Sequence, residues 1–181
     1  MKRRALLAGA ALLAGCAAAP RPLAPTPLPA LRLPPAALGA QRHALSQRLS
    51  VWRLDRPDDA PQRVDVQLQL DATGLLLAGF AFGQRVLLLQ WDGQALQVQR
   101  HPHLPAEVDT DRMLRDLCLV LWPADAVRAA LPAGWTWTGE ELREGGQLRL
   151  RVLRLGAHAV EVLNPTEGYR LLIESQPLEG A

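Results

Sequence analysis

Chemistry at a protein site needs a nucleophile, a base or a metal-binding set within mutual reach, and few residues of this 181-residue chain could supply one. Ser46, Ser50 and Ser175 stand outside any Gly-x-Ser-x-Gly sequence, and neither His-Glu-x-x-His nor Cys-x-x-Cys occurs. His101 and His103 in "HPHLP" could point the same way from an extended segment, as metal-ligating imidazoles do. Without a cysteine or a fixed carboxylate beside them they read as solvated loop residues, and His43 and His158 stand alone. The pairs Asp58-Asp59, Glu140-Glu141 and Asp109/Asp111 have the residue types for acid–base work, yet turn and helix-start positions account for each. Arg149, Arg151 and Arg154 in "LRLRVLRL" place two guanidiniums on one strand face, either as a solvated surface or to meet anionic lipid headgroups. Cys118, within the apolar "LCLVLW", reads as a small buried residue rather than a reactive thiol. No catalytic residue, metal or cofactor is expected, which points to binding rather than catalysis.

The other cysteine sits in a different setting. Lys2, Arg3 and Arg4 precede an apolar run, Ala5 to Leu13, and the small pair Ala14-Gly15, the order of an export signal. The run is far short of the roughly 20 residues of a membrane-spanning helix. Leu13, Ala14, Gly15 and Cys16 resemble the lipobox of bacterial lipoproteins. That resemblance implies that residues 1–15 are removed as a signal peptide and that Cys16 becomes the acylated first residue. Each buried CH₂ contributes about 0.8 kcal/mol, so two or more acyl chains anchor a protein stably where one does not. Ala17, where aspartate would imply retention in the inner membrane, implies the periplasmic face of the outer membrane. The alternative is a plain secreted protein with an incidental cysteine.

Removing Lys2, Arg3 and Arg4 from the 20 basic residues leaves 17 against 18 acidic ones, so the formal charge of +2 belongs to the signal and no case for nucleic acid remains. Lys2 is the only lysine, which excludes a P-loop or Schiff-base lysine from the mature chain. Cys118 then has no disulfide partner within the chain, and the core must hold the fold. Residues 16–40 carry the lipidated cysteine and prolines at 20, 22, 25, 27, 29, 34 and 35. They read as an extended tether reaching roughly 70 Å, which leaves residues 41–181 as one domain.

Beyond residue 45 the hydrophobic period becomes two. Val64, Val66, Leu68 and Leu70 alternate with Asp65, Gln67 and Gln69, the pattern of a strand with one wet face. Asp92-Gly93 and Phe82-Gly83-Gln84 mark turns between strands near 74–82, 85–91 and 94–100. The first two of these are apolar on both faces and must be covered twice or line a cavity. Asp109 or Thr110 can cap a helix bearing Leu114, Leu117, Cys118 and Leu121 on one face, and Pro123 suits the first turn of a second helix ending before Pro132. Segments near 47–54, 63–70, 135–143, 147–154, 158–163 and 169–175 bring the total to about nine strands. The expected class is mainly β (α+β): a curved antiparallel sheet or open half-barrel with a helical lid or plug.

That order of elements, behind a lipobox and a tether, resembles the LolA/LolB lipoprotein carrier and receptor fold, most closely over residues 74–132. The chain is also similar to small outer-membrane lipoproteins of an uncharacterised family often encoded with aryl-polyene clusters. The first resemblance implies an open barrel taking up acyl chains, with a LolA-like periplasmic carrier or acyl-bearing cargo as partner and a monomer as the acting form. Val66, Leu68, Leu75, Leu77 and Leu88 would line the cavity from the sheet. Leu114, Leu117, Cys118, Leu121 and Trp122 would line it from the helices. Strand parity shifted by one residue would exchange lining and outer face. Where the receptor carries an extended loop with an exposed leucine that inserts into the membrane, this chain has a short turn with Phe82 at its tip. Either Phe82 replaces that leucine, or it is a packed turn residue and the insertion step is absent. The alternative to a carrier is an envelope interaction or assembly module with a filled core and no ligand.

Overall fold

The computed structural model describes residues 27–102, 104 and 108–178. His43–Arg53 (β1), Gln62–Asp71 (β2), Gly74–Ala81 (β3), Gln84–Trp91 (β4) and Leu96–Arg100 (β5) form one antiparallel meander. After two helices, Thr110–Leu121 (α1) and Ala124–Ala130 (α2), a second meander follows. It comprises Trp135–Trp137 (β6), Glu141–Glu144 (β7), Gln147–Arg154 (β8), Ala159–Asn164 (β9) and Tyr169–Pro177 (β10). The two meanders join where the first strand pairs with the last, β1 with β10, giving one ten-stranded sheet in the order β5-β4-β3-β2-β1-β10-β9-β8-β7-β6. The protein is therefore mainly β with two helices, as expected, but its antiparallel sheet is open and uncurled rather than a curved sheet or half-barrel, because β5 and β6 remain separate edges and no strand pairing among the described residues draws them together. The segment expected as a single strand over 135–143 is a hairpin: Thr138 Oγ1 accepts from the backbone N–H groups of Glu140 (3.3 Å) and Glu141 (2.9 Å), and Gly139 at φ +101° turns the chain back.

The pairing of first and last strands forces the middle of the chain across the sheet. β5 and β6 lie at opposite edges, nine strand spacings or about 43 Å apart on a flat sheet, and residues 101–134 must bridge them. The helices therefore lie over the sheet face rather than beyond an edge. Asp109 caps α1, its carboxylate accepting from the N–H groups of Asp111 (2.8 Å) and Arg112 (3.3 Å). Pro123 is the N-cap of α2, one position earlier than expected, and the helix ends at Leu131 before Pro132. No helix among the described residues is long and apolar enough to cross a membrane.

One face of the sheet and the helices share one core. Leu68, Leu77 and Leu89 stand side by side across β2, β3 and β4, each 2% exposed or less. Leu142, Leu150, Val152 and Val162 do the same on the other half, and Leu114, Leu119 and Val127 close the cluster from the helices. The stretch read as a tether contributes too. Leu28, Leu31, Leu33 and Leu38 are buried in this cluster, and Pro35–Leu38 makes a 3₁₀ turn against β2 and β3. From residue 27 onward the segment is a strap rather than a spacer, so the folded unit begins ahead of residue 41. Proline spacing specifies an extended backbone but not whether the intervening leucines stay in water.

Candidate functional site

The candidate site is the contact zone between α1 and the inner sheet face. Period two places Val66 and Leu68 of β2 and Leu75 and Leu77 of β3 on that face, all buried. On α1, Leu114 and Cys118 lie one turn apart and are buried, while Leu117 and Leu121 pack partly buried against the same cluster and Trp122 is buried at the helix end. All but one of the expected lining residues thus come together.

Leu88 does not. A two-residue turn pairs Ala81 with Gln84 and Phe80 with Arg85, and by that count Leu77 would face Leu88. Val86 is an extra residue in β4, a β-bulge that advances the register by one. Leu77 therefore pairs with Leu89, and Leu88 sits opposite Ala78 on the outer face, half-buried. Turn length alone does not reveal a bulge, so this error was built into any count made outward from the turn.

Beside the apolar zone lies a buried polar cluster that sequence reasoning missed. Arg115 donates to both oxygens of Glu167 (2.7 and 2.8 Å), to Asp116 (3.1 and 3.0 Å) and to the Tyr169 hydroxyl (3.0 Å). Tyr169 donates to the other oxygen of Asp116. Asn164, with no exposed surface, donates to Glu167 at 3.0 Å and accepts from its backbone N–H at 2.9 Å, folding the β9–β10 turn. Arg112 reaches Glu167 at 3.0 Å and lies 5.8 Å from the Tyr169 ring centre. Burial pushes Asp116 above the ordinary carboxylate range, against the pull of Arg115. Burial likewise raises the Tyr169 hydroxyl. With two guanidiniums facing two carboxylates the cluster closes on itself, and its geometry is that of a clamp from α1 to β9–β10. The available signals were the Arg115-Asp116 pair between Leu114 and Leu117 on the apolar side of the helix and the Asn164-Pro165-Thr166-Glu167 turn.

The remaining candidates are dispersed. Cys16 lies outside the described residues, as does His103. Arg151 is engaged by Glu141 (3.1 and 2.5 Å), Arg149 lies 3.7 Å from Glu144, and Arg154 donates to the Val120 carbonyl near the end of α1 at 3.3 Å. These guanidiniums serve internal contacts, so the headgroup reading of this strand is dropped. Among the described residues no group of three or more His, Cys, Asp or Glu side chains is placed to hold a metal ion. Burial pushes the Cys118 thiol up to about 12. In a chain with Cys16 replaced, no reaction with an aromatic disulfide reagent is expected at pH 8, and one thiol per chain should appear on adding denaturant.

Phe82 is fully exposed at the β3–β4 turn, which excludes the packed-turn reading. Phe82 at φ +52° and Gly83 at φ +74° make a two-residue turn with both residues left-handed, a geometry that favours Asn-Gly. Exposed Arg63 and Arg85 flank it, with no ionic partner among the described residues. A shallow depression of about 660 Å³ next to the turn is lined on the outer face by Trp52, Phe80 and Leu172 among others. Two further depressions, of about 670 and 640 Å³, are likewise at the surface, and none of the three lies between α1 and the sheet.

A family model described as "Protein of unknown function (DUF3261)" matches residues 44–177, leaving the strap ahead of the matched region. No curated protein matches the chain.

Proposed function

The chain belongs to the DUF3261 family, and on that premise we propose that it is a lipid-anchored envelope protein that binds an acyl chain between α1 and the inner sheet face. In this reading Cys16 carries the anchor at the periplasmic face of the outer membrane. The open sheet and the two helices over it act as the two walls of a LolA/LolB-like acyl site, and acyl-bearing cargo arrives from a LolA-like carrier or another lipid source. The protein works as a monomer by binding, without catalysis, cofactor or nucleic acid.

One observation carries the reading. Apolar side chains continue beyond the closed core: Leu45, Leu49, Val64 and Leu171 of the central strands, and Leu117 and Leu121 of α1, pack against it only partly buried. Apolar side chains left at a seam between a helix and a sheet are where an aliphatic chain gains most from contact. The test is native mass spectrometry with lipid extraction on the chain from Ala17 onward, exported to the periplasm. A stoichiometric acyl-containing mass that is lost in Leu117→Asp or Leu121→Asp, with the circular dichroism unchanged, is the expected result. An apo mass that persists after incubation with lipoprotein and aryl-polyene lipid rejects the reading.

The exposed phenylalanine gives a separate expectation. Left-handed backbone at a non-glycine residue costs about 1–2 kcal/mol, and full exposure of the ring returns nothing to the fold. Phe82→Gly is expected to raise the unfolding free energy by about 1 kcal/mol. Binding of the soluble chain to anionic vesicles, measured by flotation, should fall at the same time. Unchanged flotation would remove Phe82 from any membrane role.

The rival, an interaction module without ligand, is favoured by the filled interior: Leu68, Leu77 and Leu114 are at most 2% exposed. The apo mass would select it.

A further inference from the structure

We propose that residues 27–38 are a built-in occupant of the acyl site, a strap that must lift from α1 and the sheet before a linear acyl chain enters. The inference rests on the acyl-binding reading above and adds how that site is regulated.

The strap covers the residues assigned to the site. Leu28, Leu31 and Leu33 are buried in one cluster with Leu77, Leu114 and Cys118. Apolar contact and side-chain interactions hold it there. Residues 27–34 belong to no strand or helix and take no part in the sheet. Side chains of the domain reach out to strap carbonyls instead: Trp91 Nε1 donates to Leu33 (3.0 Å), Trp122 Nε1 to Pro34 (3.2 Å), and the Cys118 thiol lies 3.8 Å from the Leu31 carbonyl. Arg32 pairs with Asp111, exposed on both sides and of little weight, and its guanidinium lies 5.6 Å from the Trp91 ring centre. A segment held by apolar contact and side-chain donors can leave without breaking a ladder of backbone bonds.

Its shape names the ligand class. Pro34 sits at φ −65°, ψ 146°, the polyproline conformation. Prolines at 27, 29, 34 and 35 favour the same extended backbone, and at its rise of about 3.1 Å per residue the five steps from Leu28 to Leu33 would span about 15 Å with Leu28, Leu31 and Leu33 turned into the core, a footprint suited to a single aliphatic chain rather than a fused-ring molecule. The strap also begins eleven residues after Cys16. With that cysteine acylated, the released leucines lie within reach of the lipid surface, so each apolar occupant has a second place to go.

Competition of this kind weakens apparent affinity by the fraction of molecules whose site is open. Binding of a pyrene-labelled long-chain fatty acid should therefore be compared between the Cys16→Ser chain and the same chain carrying Leu31→Asp and Leu33→Asp. Tightening by about tenfold or more is expected in the strap variant. A second measurement does not need that variant to fold. In Cys16→Ser/Leu33→Cys, residue 33 should react slowly with a thiol reagent and at least several-fold faster with saturating fatty acid. Equal affinity in both chains, or labelling that the fatty acid leaves unchanged or slows, overturns the strap inference while leaving acyl binding standing. No binding to either folded chain overturns both.

Discussion

Arg115→Ala is expected to lower the unfolding free energy by about 3–5 kcal/mol, the range for removing one partner of a buried ion pair. The reason lies in what stays behind. Asp116 and Glu167 have side chains only 9% and 20% exposed, and without Arg115 they are left with Arg112, Asn164 and Tyr169 for two negative charges. Against a total stability of 5–15 kcal/mol for typical domains, a loss of this size should lower the melting temperature by about 10 °C or more. The sign of its pH dependence follows from Asp116. Its folded-state value is already raised by burial, and loss of the neighbouring guanidinium raises it further. A carboxyl raised in the folded state binds its proton more tightly there than in the unfolded chain, so the deficit is largest at neutral pH. It should narrow as pH falls through the raised value toward the ordinary one. Chemical denaturation of both chains at several pH values measures this; a deficit constant or growing toward acid would contradict the assignment. Arg115→Lys should recover only part of the loss, because an ammonium cannot bridge two Glu167 oxygens while also reaching Asp116.

Leu77→Ala should cost about 2–5 kcal/mol, the range for truncating a buried leucine where neighbours cannot collapse into the space. Leu77 is flanked by Leu68 on β2 and Leu89 on β4, neither with any exposed surface, and the two strands fix its neighbours at sheet spacing. The void left is apolar and dry, and such voids accept apolar ligands. The two readings of function diverge here. If α1 and the sheet hold an acyl chain, fatty-acid affinity is retained or improved in this destabilised variant; in a ligand-free interaction module only stability changes. Equilibrium denaturation and a fluorescent fatty-acid titration on one sample separate them. A stability loss under about 1 kcal/mol would instead mean that the sheet relaxes around residue 77.

Much of the strand and helix content was legible because the chain states it locally. Val66, Leu68 and Leu70 alternate with exposed polar residues in β2, and Asp109 caps α1 one residue before its first turn. Asp92-Gly93 marked the turn after β4 correctly, although the pair opens a four-residue connection in which Asp92 accepts from Gln94 and Ala95 (2.8 and 2.7 Å). Period, caps and turns act over a few residues, so the few residues announce them. The lining of the candidate site was legible to the same extent, since helix and strand faces follow from spacing alone; Leu88 was lost to a bulge that no spacing encodes.

What the sequence by itself determined is thus the number and type of elements to within one hairpin, the apolar face of each, and the absence of a common hydrolase or zinc-protease motif. Only the tertiary structure decided that the first and last strands pair at the centre of the sheet, which draws the helices across its face. It also decided that the leucines of a proline-rich stretch fill the core, and that Arg115, Asp116, Asn164, Glu167 and Tyr169 meet in one cluster across some 50 positions of chain. The physical reason is the same for all three. Burial and long-range pairing depend on which surfaces remain uncovered once every element is placed, and that sum over the whole chain leaves no local trace in residue order.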